Sequence, residues 1–487
     1  MSLTQACGGE RGWSVVPEAR SWQIRWWRSA PPVQRRTVRF VAVSTLAGLV
    51  AAAGAVGAAG PWDSGQRKAE RDRAAAGATP RGERHVEPRY PAAAPVLTGA
   101  GRRGAAREGL AAALEPLLND SALGDRRSAA VYDATTGQRL YGSDEGTPYT
   151  PASTVKLATA AAALSALGAD HRIDTTVVAD GDGIVLVGGG DPTLTARRTA
   201  GAASLSDLAG ATVRALKARG KDRVRLTYDT SRYAGPASHP IGPNENIAPV
   251  SALMVDEGRL GDSDHGPADR SADPAADAAG KFAGLLCAQG VTVDGDPAAG
   301  RAGGSAERIA AVSSPPLSAL VERTLTNSDN DIAEALARAT ALADGQEASF
   351  EGAARAVTAR LDKLGLTGAH VADGSGLDRA DQISADLLAR LLVRAADPRH
   401  GELRPILTGL PVAGFSGTLR GRYADEAAGR GYVRAKTGTL TGVNALAGTV
   451  VDAQGRVLTF AFMTMGAPDG DGAVRALDRL AASLTHS

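Results

Sequence analysis

An uncharged run from Phe40 to Gly60, FVAVSTLAGLVAAAGAVGAAG, constrains this chain of 487 residues more than any other feature. Its 21 residues suffice to cross a bilayer, at about 1.5 Å of rise per helical residue. Arg25, Arg28, Arg35, Arg36 and Arg39 precede it closely, and Trp22, Trp26, Trp27 and Trp62 stand near its two ends. Arginines on one side hold that side in the cytoplasm, and indoles favour the interface. Residues 1–39 are therefore expected as a basic cytoplasmic tail and 40–60 as a transmembrane signal-anchor. Everything beyond is expected outside the cytoplasm. The run is long for the ~7–15-residue apolar core of a cleaved signal, which favours retention; cleavage would give a secreted protein instead. Residues 61–104 are polar, rich in Ala, Pro and Arg and without periodicity, and read as a flexible linker.

Charge supports this division. The first 110 residues carry 17 Lys/Arg against 8 Asp/Glu, so the basic excess sits beside the apolar run and the remainder is mildly acidic. No basic face is left for nucleic acid. Two cysteines, Cys7 and Cys287, are too few for a Cys-based metal site.

Beyond the linker, helix and strand patterns mix. A helix is expected over 105–118 and a hairpin over 128–141, around the turn Asp133–Gly137. An Ala/Leu-rich helix should begin near Pro151. Residues 171–310 have another texture, with a hairpin at 175–187, a helix at 203–218, a strand at 223–228, a Pro/Gly/Asn-rich stretch at 235–249 and a surface excursion at 261–280. Helical patterns return at 315–340, 350–364 and 384–396. Strands at 431–437, 443–451 and 456–464 and an amphipathic helix follow. The expected architecture is α+β, an antiparallel sheet flanked by helices. It is built from 105–170 and 311–487, with 171–310 inserted as an α/β accessory region.

Three short patterns carry chemistry. Ser153 and Lys156 are one helical turn apart, so hydroxyl and amine share a face. A helix start has unpaired N–H groups and a positive dipole end. That disfavours a protonated lysine, and a lysine of lowered pKa can act as base to a hydroxyl. Ser328-Asp329-Asn330 lies beside a helical run, where such residues also serve as caps. Lys436-Thr437-Gly438-Thr439 lies on a strand, whose edge could pair with an extended peptide while a glycine admits close backbone approach. Each pattern is weak alone. Their order along the chain is informative, since S-x-x-K, S-D-N and K-T-G together mark penicillin-binding proteins and class A β-lactamases.

With these motifs the chain resembles the type-4, class C low-molecular-mass penicillin-binding proteins, the D-alanyl-D-alanine carboxypeptidase/endopeptidase family. The stretches GGGDPTL (188–194), YDTSRYAGP (228–236), DGSGLDRADQIS (373–384) and FSGTLRGRY (415–423) carry the resemblance further. It covers about residues 105–487. Members hold a large insertion between the first two motifs, and the 175 positions from Ser153 to Ser328 accommodate one. The resemblance implies a penicillin-binding/β-lactamase-like transpeptidase fold. The implied activity is a serine D-Ala-D-Ala carboxypeptidase or endopeptidase acting on peptidoglycan stem peptides ending in D-Ala-D-Ala, with β-lactams as covalent inhibitors and no cofactor or metal. Ser153 would be the nucleophile, Lys156 the general base and Ser328 the proton relay to the leaving amine. Asn330 would hold the substrate amide, and Lys436, Thr437 and Thr439 the terminal carboxylate. The N–H groups of Ser153 and Thr439 would form the oxyanion hole.

A Ser-His-Asp hydrolase lacks support, since no G-x-S-x-G elbow occurs. The seven histidines fall in polar or loop-like contexts and are expected at the surface. No H-E-x-x-H pattern points to zinc. A class A β-lactamase needs an E-x-x-L-N element after the second motif, whereas Glu115–Asn119 precedes the first and reads as a helix end. A non-turnover cell-wall or β-lactam-binding module would share the motifs and differ only in deacylation. Asp191-Pro192 is expected to make a turn, and Asp373 and Ser375 to shape a Gly-rich loop.

Overall fold

The computed structural model describes residues 103–196 and 201–486. The expected tail, the anchor at 40–60 and all but the last two linker residues lie outside them. Among the described residues no helix is long and apolar enough to cross a membrane.

The chain runs through α1 (Arg103–Leu118), β1 (Arg126–Asp133), β2 (Arg139–Ser143) and α2 (Val155–Leu167). Next come β3 (Asp174–Asp180), β4 (Gly183–Val187), α3 (Leu205–Ala218), β5 (Leu226–Asp229), α4 (Pro274–Ala288), β6 (Ala298–Ala299) and β7 (Glu307–Ser313). Then follow α5 (Leu317–Asn327), α6 (Asn330–Ala343), α7 (Phe350–Lys363), α8 (Ala385–Ala396) and α9 (Arg404–Thr408). The chain closes with β8 (Arg434–Leu440), β9 (Val443–Val451), β10 (Val457–Met465) and α10 (Gly470–Ser483).

The main sheet is antiparallel, in the order β8-β9-β10-β1-β2, so strands from the two ends of the folded chain lie side by side. Period-2 alternation sorts its faces. Ala129, Val131, Leu446, Phe460 and Phe462 pack with Leu110 and Leu114 of α1 and Leu477 and Leu480 of α10. Ala130, Ala445, Ala447, Ala461 and Met463 face the bundle of α2 and α5 to α9. The small side chains on this second face let helices come close. At the bundle's centre every residue of α2 from Val155 to Leu164 is buried, as expected of an Ala-rich helix apolar all round. Lys156 is the one charged residue in that stretch.

Between α2 and α5 a second, mixed sheet forms in the order β7-β3-β4-β5-β6, with its own core of residues from α3 and α4. Within GGGDPTL, a Cβ on Gly189 would meet the Asp174 carbonyl oxygen at 1.9 Å, so only glycine lets the two backbones pass.

Two expectations need correction. The excursion at 261–280 ends early, because Asp273 accepts a hydrogen bond from Ala276 N–H and Pro274 stands in the first turn, which together start α4. The helical pattern at 315–340 is two helices. Ser328 takes the left-handed conformation (φ 60°) at the end of α5, and Asp329 then caps α6 by accepting from Ile332 N–H. Apolar periodicity continues through this break and hides it.

Candidate active site

The nucleophile candidate lies in a short 3-10 turn, Ala152–Thr154, that leads into α2. Ala152 is forced to φ 47°, a strained value for a residue with a Cβ. Two glycines wedge this turn in place. A Cβ on Gly376 would meet the Ala152 carbonyl oxygen at 2.1 Å, and one on Gly438 would meet the Pro151 carbonyl oxygen at 2.5 Å. Gly438 therefore serves the close seating of β8 against the turn that carries Ser153, whatever else its strand edge does.

Lys156 Nζ lies 2.9 Å from Ser153 Oγ. It also donates to Asn330 Oδ1 at 2.7 Å and to the Ser375 carbonyl. Asn330 is oriented by its other end, where Nδ2 donates to the Asn246 carbonyl at 2.9 Å. A neutral amine has two N–H bonds and one lone pair. The two pure acceptors take both N–H bonds, which leaves the lone pair facing the serine hydroxyl. Lys156 is fully buried, and loss of solvent lowers its pKa to about 8, against the pull of Asp373, Asp329, Glu334 and Asp381.

On the opposite side Lys436 Nζ donates to Ser328 Oγ at 2.9 Å and to the Thr437 carbonyl at 2.8 Å. It too is fully buried. Burial first, then the charges of Lys156 and Arg422, push its pKa well below the ordinary lysine range. Thr437 Oγ1 bonds Thr418 Oγ1 at 3.1 Å. A cavity of about 210 Å³ is lined by Ser153, Ser328, Asn330, Thr439, Arg270 and Leu377 among others. All three motifs thus meet in one cleft beside β8, which is an edge strand.

The turn 373–378 closes the base of the site. Asp373 accepts from the N–H groups of Ser375, Gly376 and Asp378 and from Ser375 Oγ. Burial raises its pKa, but these bonds and His239 prevail and hold the carboxyl below its usual range. Desolvation and then the Asp373 charge push Glu334 up to about 7 and Asp381 up to about 9. His239 corrects the expectation of surface histidines. It is buried, with Nε2 2.9 Å from Asp373 Oδ2. The Gly-flanked Ser375, typical of a turn whose N–H groups converge, was the available signal for this acceptor network. The Pro/Gly-rich stretch carrying His239 offered none.

Among the described residues two buried groups could in principle hold a cation, His239–Glu334–Asp373 and Glu257–Asp329–Asp331. Both oxygens of Asp373 are already taken by N–H and O–H donors. In the second group Arg259 pairs with Glu257 at 2.9 Å and Arg270 with Asp331 at 2.8 Å. Each set is thus substantially engaged within the protein. Glu115 is exposed on α1, across the main sheet from the bundle, far from any role in deacylation.

The chain matches the D-Ala-D-Ala carboxypeptidase 3 (S13) family over residues 110–265 and 263–484. It is 41% identical over 397 residues to the carboxypeptidase DacB of Mycolicibacterium smegmatis, covering 78% of this chain and 84% of that protein. A carboxypeptidase of Mycobacterium tuberculosis is 38% identical over 392 residues, covering 76% of this chain and 82% of that protein. In structure the chain is similar to penicillin-binding protein 4 of Haemophilus influenzae, with a TM-score of 0.64, 22% identity, and coverage of 78% of this chain and 99% of that one. The latter protein has also been solved with a β-lactam.

Proposed function

We propose, since the chain belongs to the D-Ala-D-Ala carboxypeptidase 3 (S13) family, that its hydrolysis of D-Ala-D-Ala peptide ends runs through an acyl-enzyme on Ser153. The chain is a serine-type carboxypeptidase of the penicillin-binding kind, and endopeptidase action on cross-linked stem peptides is open to the same chemistry. The observation that carries the reading is the pairing within one cleft: Lys156 Nζ 2.9 Å from Ser153 Oγ, and Lys436 Nζ 2.9 Å from Ser328 Oγ.

Lys156, with its lone pair on Ser153, takes the hydroxyl proton as Oγ attacks the carbonyl of the penultimate D-Ala. The N–H groups of Ser153 and Thr439 receive the oxyanion; one such donor is commonly worth about 10²–10³ in rate. Ser328 passes a proton to the leaving amine, and water then releases the acyl group. Lys436, with Thr437 and Thr439, meets the terminal carboxylate. Asn330 orients Lys156 through Oδ1 and borders the place of the substrate amide. β-Lactams would acylate Ser153 in the same way and leave slowly.

The family's work on the cell wall places the catalytic part outside the cytoplasm. We further read residues 40–60 as the anchor that holds it at the membrane, and 171–310 as an accessory region inserted into the peptidase, 105–170 and 311–487. The test is direct. The exported part and its Ser153→Ala variant are incubated with a fluorescent penicillin and with a D-Ala-D-Ala-terminated peptide. The first should be labelled and release D-Ala, and the second should do neither. D-Ala release by Ser153→Ala would remove the nucleophile assignment. Rapid loss of the penicillin label would favour a β-lactamase, and stable labelling without D-Ala release a non-turnover module.

A further inference from the structure

Both acceptors that aim Lys156 trace back to one segment far from it in sequence. Asn330 is oriented by the Asn246 carbonyl. Ser375 is oriented by the turn that folds around Asp373, and Asp373 Oδ2 takes a hydrogen bond from His239. His239 and Asn246 lie seven residues apart on the segment leading from β5 to α4. Ala248 N–H on the same segment donates to Asp331 Oδ1 at 2.9 Å, a second tie to α6 beside that of Asn246. In its neutral form the His239 ring has its tautomer set by its partners. The Ile241 N–H, 3.3 Å from Nδ1, can only donate, so Nδ1 accepts and Nε2 carries the proton toward Asp373. Phe350 packs edge-on against the ring, with centroids 5.2 Å apart.

We propose that His239 is a positioning residue for Lys156. Its Nε2–H engages Asp373, locks the 373–378 turn, and so aims the Ser375 carbonyl that holds the lysine amine. The accessory segment thereby sets the geometry of the base. This rests on Lys156 being the base. Without the His239 donor, one oxygen of Asp373 would face the buried side chain of Glu334 with a donor fewer, and the turn would be free to shift. An error of about 1 Å in a reacting group can cost on the order of 10²-fold in rate.

Facing His239 are Asp373, Glu334 and Asp378, and Arg338 stacks over the ring of Phe350. Facing Lys156 are Asp373, Asp329, Glu334, Asp381 and the second lysine, Lys436. Since Asp373 favours the protonated lysine, withdrawing a donor from it strengthens that pull. The low-pH fall of the acylation rate should then move to higher pH.

The experiment measures acylation by a fluorescent penicillin against pH, per titrated active site, in the exported protein. His239→Gln keeps an N–H at about the reach of Nε2, whereas the shorter His239→Asn keeps an acceptor for Ile241 N–H and stops its own N–H short of Asp373. His239→Asn should acylate about 10- to 100-fold more slowly, with the low-pH fall moved upward and KM for the peptide little changed. His239→Gln should restore most of the rate and the wild-type profile. Phe350→Leu loosens the packing but spares both hydrogen bonds, and should lower Tm without moving the profile. A His239→Asn rate and profile equal to wild type would overturn the proposal, as would equal impairment of His239→Gln or an equal displacement in Phe350→Leu. Should His239→Asn fail to fold, a displaced profile in His239→Gln overturns it. A Lys156→Ala variant that acylates at the wild-type rate would instead remove the base assignment, a failure separable from any result at His239.

Discussion

The two sides of the cleft each hold a fully buried lysine against a serine hydroxyl, yet their surroundings differ in sign. Lys156 stands over Asp373, Asp329, Glu334 and Asp381, whose pull offsets part of the desolvation and leaves it at about 8. Lys436 has no such support. Its charged neighbours are Lys156 and Arg422, which add to desolvation and hold its pKa well below the ordinary lysine range. Equal burial thus gives two different reagents. The Lys156 side, the base on the proposed reading, changes protonation just above neutral pH. The Lys436 side lacks a counter-charge, and the terminal carboxylate of a substrate would supply it. On the proposed reading, carboxylate binding would favour protonation of Lys436, so recognition of the free chain end would draw on the electrostatics of β8.

The largest effect should come from breaking the Lys156 side. Lys156→Ala removes the proton acceptor and should lower acylation by a fluorescent penicillin about 10³-fold or more, beyond the ~10²–10⁴ typical of acid–base groups only if Ser153 is also misplaced. In the wild type the rate should rise with pH through about 8, as the amine loses its proton. Stopped-flow labelling across pH 5–10 reads both. A rate that falls over this window would mean that Lys156 does not act as a neutral base and would remove that assignment.

A smaller effect is expected on the Lys436 side, and it should depend on the substrate. Lys436→Ala should lower kcat/KM for a D-Ala-D-Ala peptide about 10²-fold, the order seen when one partner of a buried charge pair is removed. A peptide amidated at its C-terminus lacks the carboxylate. It should be a poor substrate for the wild type and lose little further in the variant. If the variant loses as much on the amide as on the acid, Lys436 acts on the reaction itself and the contrast between the two sides fails.

How much of this contrast the sequence discloses depends on range. Ser153 and Lys156 are three residues apart, and helix geometry alone brings hydroxyl and amine together. The main sheet was legible because its strands alternate and its hairpins are short. The meeting of Lys436 with Ser328, 108 positions away, followed only from the resemblance to a family. The acidic stack under Lys156 was not legible at all. Asp373 looked like a loop-shaping residue, and nothing in the sequence singled out Glu334. His239 looked like a surface residue in a Pro-rich stretch. Each is ordinary locally, and their joint effect arises from contacts 40 to 134 positions apart. The break at Ser328 was hidden for the opposite reason, since local apolar periodicity ran straight through it.

The smallest and most discriminating change is at Glu334. Its Oε1 accepts from Gly374 N–H at 3.0 Å, while Oε2 is buried without a hydrogen-bond partner. Burial and the neighbouring Asp373 raise its pKa to about 7. Below that value it is neutral and adds nothing to the field at Lys156. Above it the carboxylate is charged and helps the lysine keep its proton. Glu334→Gln keeps the acceptor for Gly374 and removes that charge. Lys156 should then lose its proton at lower pH, so the low-pH fall of the acylation rate should move downward, opposite in direction to His239→Asn. Near pH 7 to 8 acylation should be about two- to threefold faster than wild type, since the rate there follows the fraction of neutral amine. At higher pH, where the amine is neutral in both proteins, the rates should converge. A shift upward, or a uniform loss at every pH, would mean that Glu334 supports the 373–378 turn mechanically and that the acidic stack does not set the protonation of Lys156.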